Sequence, residues 1–322
     1  MMHLQQRLDL KFTTVEDEIN PRRIKFLHQL SSSGKLRYKR YDGSPLRYAG
    51  GKSRAVGLIL EKIPSNIKRL VTPFLGGGSV EVACALELGM EVQGYDIFDV
   101  LCNYWQVQLA KPEELATSLA KYNATRETFA EAKARLQGHW REETCLPAML
   151  LASDFYFTFN TSYGPQFLGW PSSVYMDDTR WNKMLTKVRN FKTTNLSVQA
   201  ASFEQILPQH RDDFLYCDPP YYLDEGKMFI GIYPQRNFPV HHEGFDHARL
   251  RDELHSHRGG FLLSYNDCPI IREWYSDFEI TTPSWQYSLG QGETRIGANR
   301  RRDNGSSYVK QSHELLIYKA QP

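Results

Sequence analysis

Little in this sequence points to a disulfide scaffold, a membrane span or a metal centre. The five cysteines, Cys84, Cys102, Cys145, Cys217 and Cys268, are odd in number, far apart and form no CxxC. That argues against a disulfide framework or a cysteine zinc site and predicts reduced thiols. Apolar runs are short, such as Ala148 to Ala152, far below the roughly 18 residues of a membrane span. No membrane partner is expected. The opening stretch MMHLQQRLDLKFTTVEDE has no apolar segment suited to a signal peptide, and with reduced thiols this predicts a cytoplasmic protein. There is no HExxH. The histidines His241, His242, His247, His255 and His257 cluster in sequence but read as surface or helix-face residues, so no metal is expected. Charge of one sign is scarce overall: 39 Lys plus Arg against 37 Asp plus Glu leaves +2.

What is present suffices for a folded protein of one large domain or two modest ones. The chain has 322 residues, 41% of them hydrophobic and 13% aromatic, which excludes wholesale disorder. Basic residues are unevenly placed. Pro21 to Arg54 holds ten Lys/Arg and one acid, Asp42, and Arg295, Arg300, Arg301 and Arg302 gather later. Each cluster is either a solvated face or a surface for an anionic partner.

Residues 1–44, with Ser31-Ser32-Ser33-Gly34 and no sustained periodicity, read as a peripheral extension, basic towards its end. From Arg69 the pattern changes. RLVTPF reads as a strand, Gly76-Gly77-Gly78 as a turn, Ser79 to Met90 as a helix and Glu91 to Asp96 as a second strand. That is a βαβ unit and the start of a parallel sheet. The stretch 104–190 reads mainly helical. Strand signals resume at Asn195–Gln199, Asp213–Cys217, Gly260–Tyr265 and Glu314–Tyr318, with a helix over Phe245–His257. The fold class expected is α/β: a Rossmann-like doubly wound sheet (45–103 and 191–322) interrupted by a helical insertion (104–190).

Three motifs carry chemistry. In Pro73-Phe74-Leu75-Gly76-Gly77-Gly78, glycines between a strand and a helix let a ligand approach backbone amides. Two nucleotide motifs fail on spacing. Gly51-Lys52-Ser53 lacks the Walker glycine, because Leu46 stands there, and GxGxxG from Gly76 meets Glu81 at its third glycine. Asp96, ending the second strand, can accept hydrogen bonds from ribose hydroxyls or can cap the next segment. The strongest signal is Cys217-Asp218-Pro219-Pro220-Tyr221-Tyr222 after an apolar strand. Two prolines fix φ and lack N–H groups, leaving a backbone carbonyl beside a carboxylate and an aromatic ring. Such a corner can accept both hydrogens of an exocyclic amino group and stack on its base.

Taken together, PLRYAGGKSR, TPFLGGGSV, GYD and YCDPPYY, with LLSYND, IREWY and HELLIYK, resemble the motifs of Dam-type (D12 class, alpha group) DNA adenine-N6 methyltransferases. The resemblance covers most of 45–103 and 213–322. It implies S-adenosylmethionine as cofactor and double-stranded DNA as partner. It also implies Asp218, Pro219 and Tyr221 as catalytic corner, and Tyr48, Lys52, Phe74, Gly76, Gly78, Asp96 and Asp218 at the donor site. Relatives carry Trp where this chain has Tyr48. In the segment before DPPY, where the family often has an Asp on the donor's adenine, this chain reads QAASFEQ, and the resemblance implies Ser202 or Phe203 in that cofactor-binding place. The insertion implies target recognition, with Tyr163 and Trp170 facing DNA, while Arg37, Lys39, Arg40, Arg300 and Arg301 would touch phosphates. Asn266 and Asp267 either line the base pocket or cap a helix. The alternatives are an RNA or protein amide methyltransferase with the same corner, or a catalytically silent DNA-binding module.

Overall fold

In the computed structural model, residues 20–32, 37–222, 245–283 and 314–322 are described. Among them, β1 (Arg69–Thr72), β2 (Glu91–Asp96), β3 (Leu196–Ala200), β4 (Phe214–Cys217), β5 (Phe261–Asn266), β6 (Glu279–Thr281) and β7 (Glu314–Lys319) make one sheet. Its order is β3-β2-β1-β4-β5-β7-β6. β1 to β5 are mutually parallel, and β7 runs antiparallel between β5 and β6. The strand order reverses between β1 and β4, which opens a crevice at their carboxyl ends, where open α/β sheets bind ligands.

Strand side chains alternate between two buried layers, so the central strands are apolar on both faces. Leu70, Val92, Phe214, Tyr216, Leu262 and Leu316 face one layer. Val71, Leu215, Cys217, Leu263 and Ile317 face the other. The first layer receives α2 (Val56–Lys62), α3 (Ser79–Leu86), α4 (Asp99–Ala110) and α7 (Ala148–Thr161); the second receives α9 (Phe203–Ile206), α10 (His247–Ser256) and α11 (Pro269–Trp274). No described helix is long and apolar enough to cross a membrane.

Between β2 and β3 the chain is helical: α4, α5 (Pro112–Leu119), α6 (Arg126–Trp140), α7 and α8 (Asp178–Asn190). α4 packs on both α7 and β3, joining this part to the sheet. α7 is buried along its whole length from Leu151 to Thr161, as expected of a helix surrounded by others. Its one carboxylate, Asp154, is fully buried. It accepts from Arg135 (2.8 and 2.7 Å) and from the Tyr122 hydroxyl (2.7 Å), the pairing that a buried charge requires.

The described part of the segment read as peripheral packs on the first layer. α1 (Pro21–Leu30) starts on an Asn20 cap with proline at its first turn. Phe26 and Leu30 are buried with Tyr38 and Tyr41, and Phe26 meets Tyr41 edge-on at 5.4 Å. Asn20 and Pro21 are the local start signals of this helix. The apolar surface that stabilises it belongs to distant residues.

Candidate active site at the sheet switch point

After β1 the chain turns sharply through its glycines. Gly76 and Gly78 sit at φ of 50° and 62°, where residues with a Cβ are strained. A Cβ on Gly77 would overlap the Tyr48 side chain. Tyr48 therefore lies directly on the turn, with its other side against Phe159 at 5.6 Å. The Trp105 indole N–H donates to the Gly76 carbonyl at 3.1 Å. Asp96, at the carboxyl end of β2, accepts from the Gly76 N–H with Oδ2 (2.9 Å) and from the Phe98 N–H with Oδ1 (3.0 Å). It thus both caps the following segment and ties β2 to the turn. Ile97 beside it is half exposed.

Phe74 packs against Phe203 (5.8 Å) and Phe245 (5.7 Å). Ser202 caps α9: its side chain accepts from the Gln205 backbone, and its own N–H donates to Gln205 Oε1 at 3.2 Å. Its hydroxyl is thereby held in a capping box.

Across the crevice, Asp218 follows β4. Lys52 Nζ donates to both of its oxygens, at 2.7 and 2.9 Å, and to the Tyr221 hydroxyl at 3.1 Å. The Ser264 hydroxyl, on β5, donates to Asp218 Oδ1 at 2.7 Å. The Lys52 ammonium is buried, and Glu314 Oε2, at the first residue of β7, lies 3.8 Å from it. Burial alone would lower the Lys52 pKa, but the charges of Asp218 and Glu314 outweigh it and hold the group above the ordinary lysine range. Two carboxyls nearby are also raised, which for them favours the neutral form. Burial pushes Glu81 up to about 8, although it accepts from the Thr72 hydroxyl at 3.1 Å. Burial likewise pushes Glu314 up to about 7 against the pull of Lys52. The Tyr221 phenol is also raised, first by burial and then by Glu314 and Asp218. Tyr221 lies 6.4 Å from the Tyr265 ring.

Thus Tyr48, Lys52, Phe74, Gly76, Gly78, Asp96, Phe203, Asp218 and Tyr221 flank one crevice, with Pro219 in the same turn as Asp218. Sequence reading missed Ser264, Glu314 and Glu81. Asn266 donates to the Tyr222 carbonyl at 2.9 Å, and its Oδ1 is buried without a hydrogen-bond partner among the described residues. Asp267 instead forms a bidentate pair with Arg272 (2.6 and 2.8 Å) on α11.

The remaining named residues have other surroundings. Arg37 pairs with Glu61 on the last turn of α2, the end of that helix that leads towards the amino end of β1. Lys39 is exposed, and Arg40 is exposed with Asp42 3.8 Å away. Tyr163 and Trp170 are 63% and 66% exposed, joined by the Tyr163 N–H to the Trp170 carbonyl (2.8 Å). Lys133 Nζ sits 4.7 Å from the Trp170 ring. Arg300, Arg301, His241 and His242 lie outside the described residues. His255 and His257 bond to the backbone carbonyls of Trp274 and Asp213 (2.8 and 2.9 Å), and His247 bonds to the Tyr265 hydroxyl. The described residues contain no group of side chains able to hold a metal ion.

A glycine turn after β1, an acid after β2 and Asp-Pro-Pro-Tyr after β4, on a sheet of this order, define a Rossmann-like methyltransferase fold. Residues 48–289 match the family of D12 class N6 adenine-specific DNA methyltransferases, and the chain belongs to that family. It is 24% identical over 291 residues to the Modification methylase StsI of Streptococcus sanguinis. That match takes in 87% of this chain and 43% of the relative, so the chain spans less than half of that protein's length.

Proposed function

We propose that this protein is a Dam-type, site-specific DNA adenine-N6 methyltransferase. It would move a methyl group from S-adenosylmethionine to an adenine flipped out of double-stranded DNA. The observation that carries this reading is the Asp218 carboxylate, fixed by Lys52 and Ser264 at the carboxyl end of β4, next to a Pro-Pro turn and the Tyr221 ring. The N6 lone pair of adenine is delocalised into the ring. If Asp218 and the Pro219 carbonyl accept its two N–H bonds, the nitrogen becomes more tetrahedral and aims its lone pair. The negative Asp218 then stabilises the positive charge that develops on nitrogen. Tyr221 offers a face on which the unstacked base rests, offsetting part of a flipping cost of a few kcal/mol.

The residues on the other side of the switch fit the methyl donor. Asp96, which accepts from the Gly76 and Phe98 amides, stands at the carboxyl end of β2, where an acid can accept from ribose hydroxyls. The exposed Ile97 and the Phe74–Phe203 pair supply apolar surface for an adenine ring, with Ser202 at the edge of that pair. Tyr48 covers the glycine turn. When bound there, S-adenosylmethionine supplies an electrophilic methyl on a sulfonium. The chain supplies the alignment of donor and acceptor, which is a large part of the catalysis.

In this reading 45–103 and 191–322 are the catalytic domain, 104–190 recognises the target, and 1–44 is an extension. Tyr163 and Trp170 reach base edges or stack, and Lys39 and Arg40, with Arg300 and Arg301, meet phosphates. The Arg37 guanidinium is engaged by Glu61 and is left out of that set. Methylation with labelled donor on duplex DNA, RNA and denatured protein tests the reading. Label should enter duplex DNA at adenine N6, and Asp218→Ala should lower single-turnover rate on the order of 10²–10³-fold while the protein stays folded. Label in RNA or protein alone would select the amide-methylating alternative. No label in any of them, with DNA still bound, would select a silent binding module.

A further inference from the structure

The buried cluster around Lys52 holds more acid than the proposed chemistry uses. One ammonium faces three carboxyl groups brought in by three different elements. Asp218 comes from the end of β4, Glu81 from the first turn of α3, and Glu314 from β7. Glu81 has the Thr72 hydroxyl as donor. Glu314 is 2% exposed, and neither of its oxygens has a hydrogen bond of good geometry among the described residues. An unsatisfied buried carboxyl is costly to keep. Its place is set by topology. Because β7 is antiparallel, its first residue, not its last, sits at the carboxyl ends of the other strands, opposite Asn266.

The arrangement also poses a conflict. With Lys52 on both oxygens of Asp218 (2.7 and 2.9 Å) and Ser264 on Oδ1, the carboxylate is occupied by the donors nearest to it. An ammonium in that place also cancels the negative potential that an amino group becoming cationic needs. We infer that Glu314 is the receiving site for the Lys52 ammonium: as the target amino group docks, Lys52 passes from Asp218 to Glu314, which frees Asp218 to accept from the base. A displacement of about 1 Å brings the present 3.8 Å separation to hydrogen-bond length. The flexible lysine stem allows this without backbone movement. Glu314 is a positioning residue: it acts through Lys52 and does not touch the substrate.

The hand-over needs Glu314 as carboxylate. A protonated Glu314 leaves Lys52 on Asp218. The charged and titratable groups that face Glu314 are Lys52, Tyr221 and Asp218. Glu81 and Tyr216 face the same lysine from α3 and β4. Burial places the Glu314 transition at about 7, so the methyl-transfer step gains rate as pH rises through that value.

The inference rests on the methyltransferase reading, and the experiment separates the two. Single-turnover transfer to duplex DNA is followed from about pH 5.5 to about 8.5, with donor and DNA saturating. The wild type should lose about tenfold in rate per unit below about pH 7. Glu314→Gln should be slower by about tenfold or more at high pH and should lose that acid limb, with donor and DNA dissociation constants within about twofold of wild type. Glu314→Asp, a shorter carboxylate, should keep the limb at a lower rate. A Glu314→Gln enzyme with wild-type rate and wild-type pH profile overturns the hand-over, as does one that loses only binding. If that variant fails to fold, the wild-type profile decides: a flat profile overturns the inference, and the acid limb retained in Glu314→Asp upholds it. A wild type that transfers no methyl group to DNA overturns the proposed function instead.

Discussion

The two halves of the sheet hold their acids in different ways. Asp96, on the β1–β2–β3 side, is gripped by two backbone N–H groups, from Gly76 and Phe98. Asp218, on the β4–β5–β7 side, is gripped among the described residues by side chains, a lysine ammonium and a serine hydroxyl. Backbone amides in a tight turn cannot leave, so Asp96 keeps a fixed direction, as suits the donor-binding role proposed for it. Side-chain donors can rotate away, so Asp218 can exchange partners. Equal residue types, at equivalent strand ends, can thus be a rigid acceptor on one side and an exchangeable one on the other.

The sharpest way to break the second half is Lys52→Met. It leaves buried carboxyls without their cation, and removing one partner of a buried pair typically costs about 3–5 kcal/mol. Glu314 and Glu81, raised by burial to about 7 and about 8, stabilise the folded state in their neutral forms. That contribution is full below the ordinary carboxylate range and is lost as pH rises through the folded values. Thermal midpoints should therefore fall further at about pH 8 than at about pH 5, and a loss that does not grow with pH would contradict the burial of these acids. The first half is broken by Asp96→Ala. Removing hydrogen bonds to a charged acceptor should weaken donor binding roughly tenfold or more in calorimetry, with DNA affinity unchanged. Unaltered donor affinity would reduce Asp96 to a strap for the glycine turn. The smallest effect is expected at Ser264→Ala, which deletes one donor to Asp218 and should cost about 1 kcal/mol in urea unfolding. A Ser264→Ala protein as destabilised as Lys52→Met would mean that the hydroxyl, not the ammonium, holds the acid.

Much of this was legible in the chain. The glycine turn, Asp96 and Asp-Pro-Pro-Tyr are local patterns whose chemistry depends on neighbours a few residues away. They correctly marked the ends of β1, β2 and β4. Glu314 was not legible. In HELLIYK it is only the first residue of an apolar strand, and it becomes a site residue because β7 is inserted antiparallel beside β5. Glu81 entered the reading only as the residue that spoils a third glycine; its burial against Thr72 depends on how α3 packs on β1. Ser264 looked like an ordinary residue of an apolar strand until the β4–β5 pairing set it beside Asp218. The helix at 21–30 was missed for a related reason. Its ten residues carry few apolar side chains, and the surface that Phe26 and Leu30 cover is built from residues such as Tyr41. A basic run shows charge but not its partners: the pairing of Arg37 with Glu61 was not legible.

The Lys52–Asp218 contact joins residues 166 positions apart, and its partner Glu314 lies on a strand from the far end of the sequence. Contacts of such separation carry the full entropic cost of closing the chain. They are expected to form after the local βαβ unit and the helical stretch have found their packing. The ionic cluster is then expected to form late in folding, after the transition state, while the glycine turn and Asp96 belong to a segment that can organise early. Substitutions at Lys52, Asp218 or Glu314 should accordingly speed unfolding and leave the folding rate nearly untouched, and those around Gly76 to Asp96 should slow folding itself.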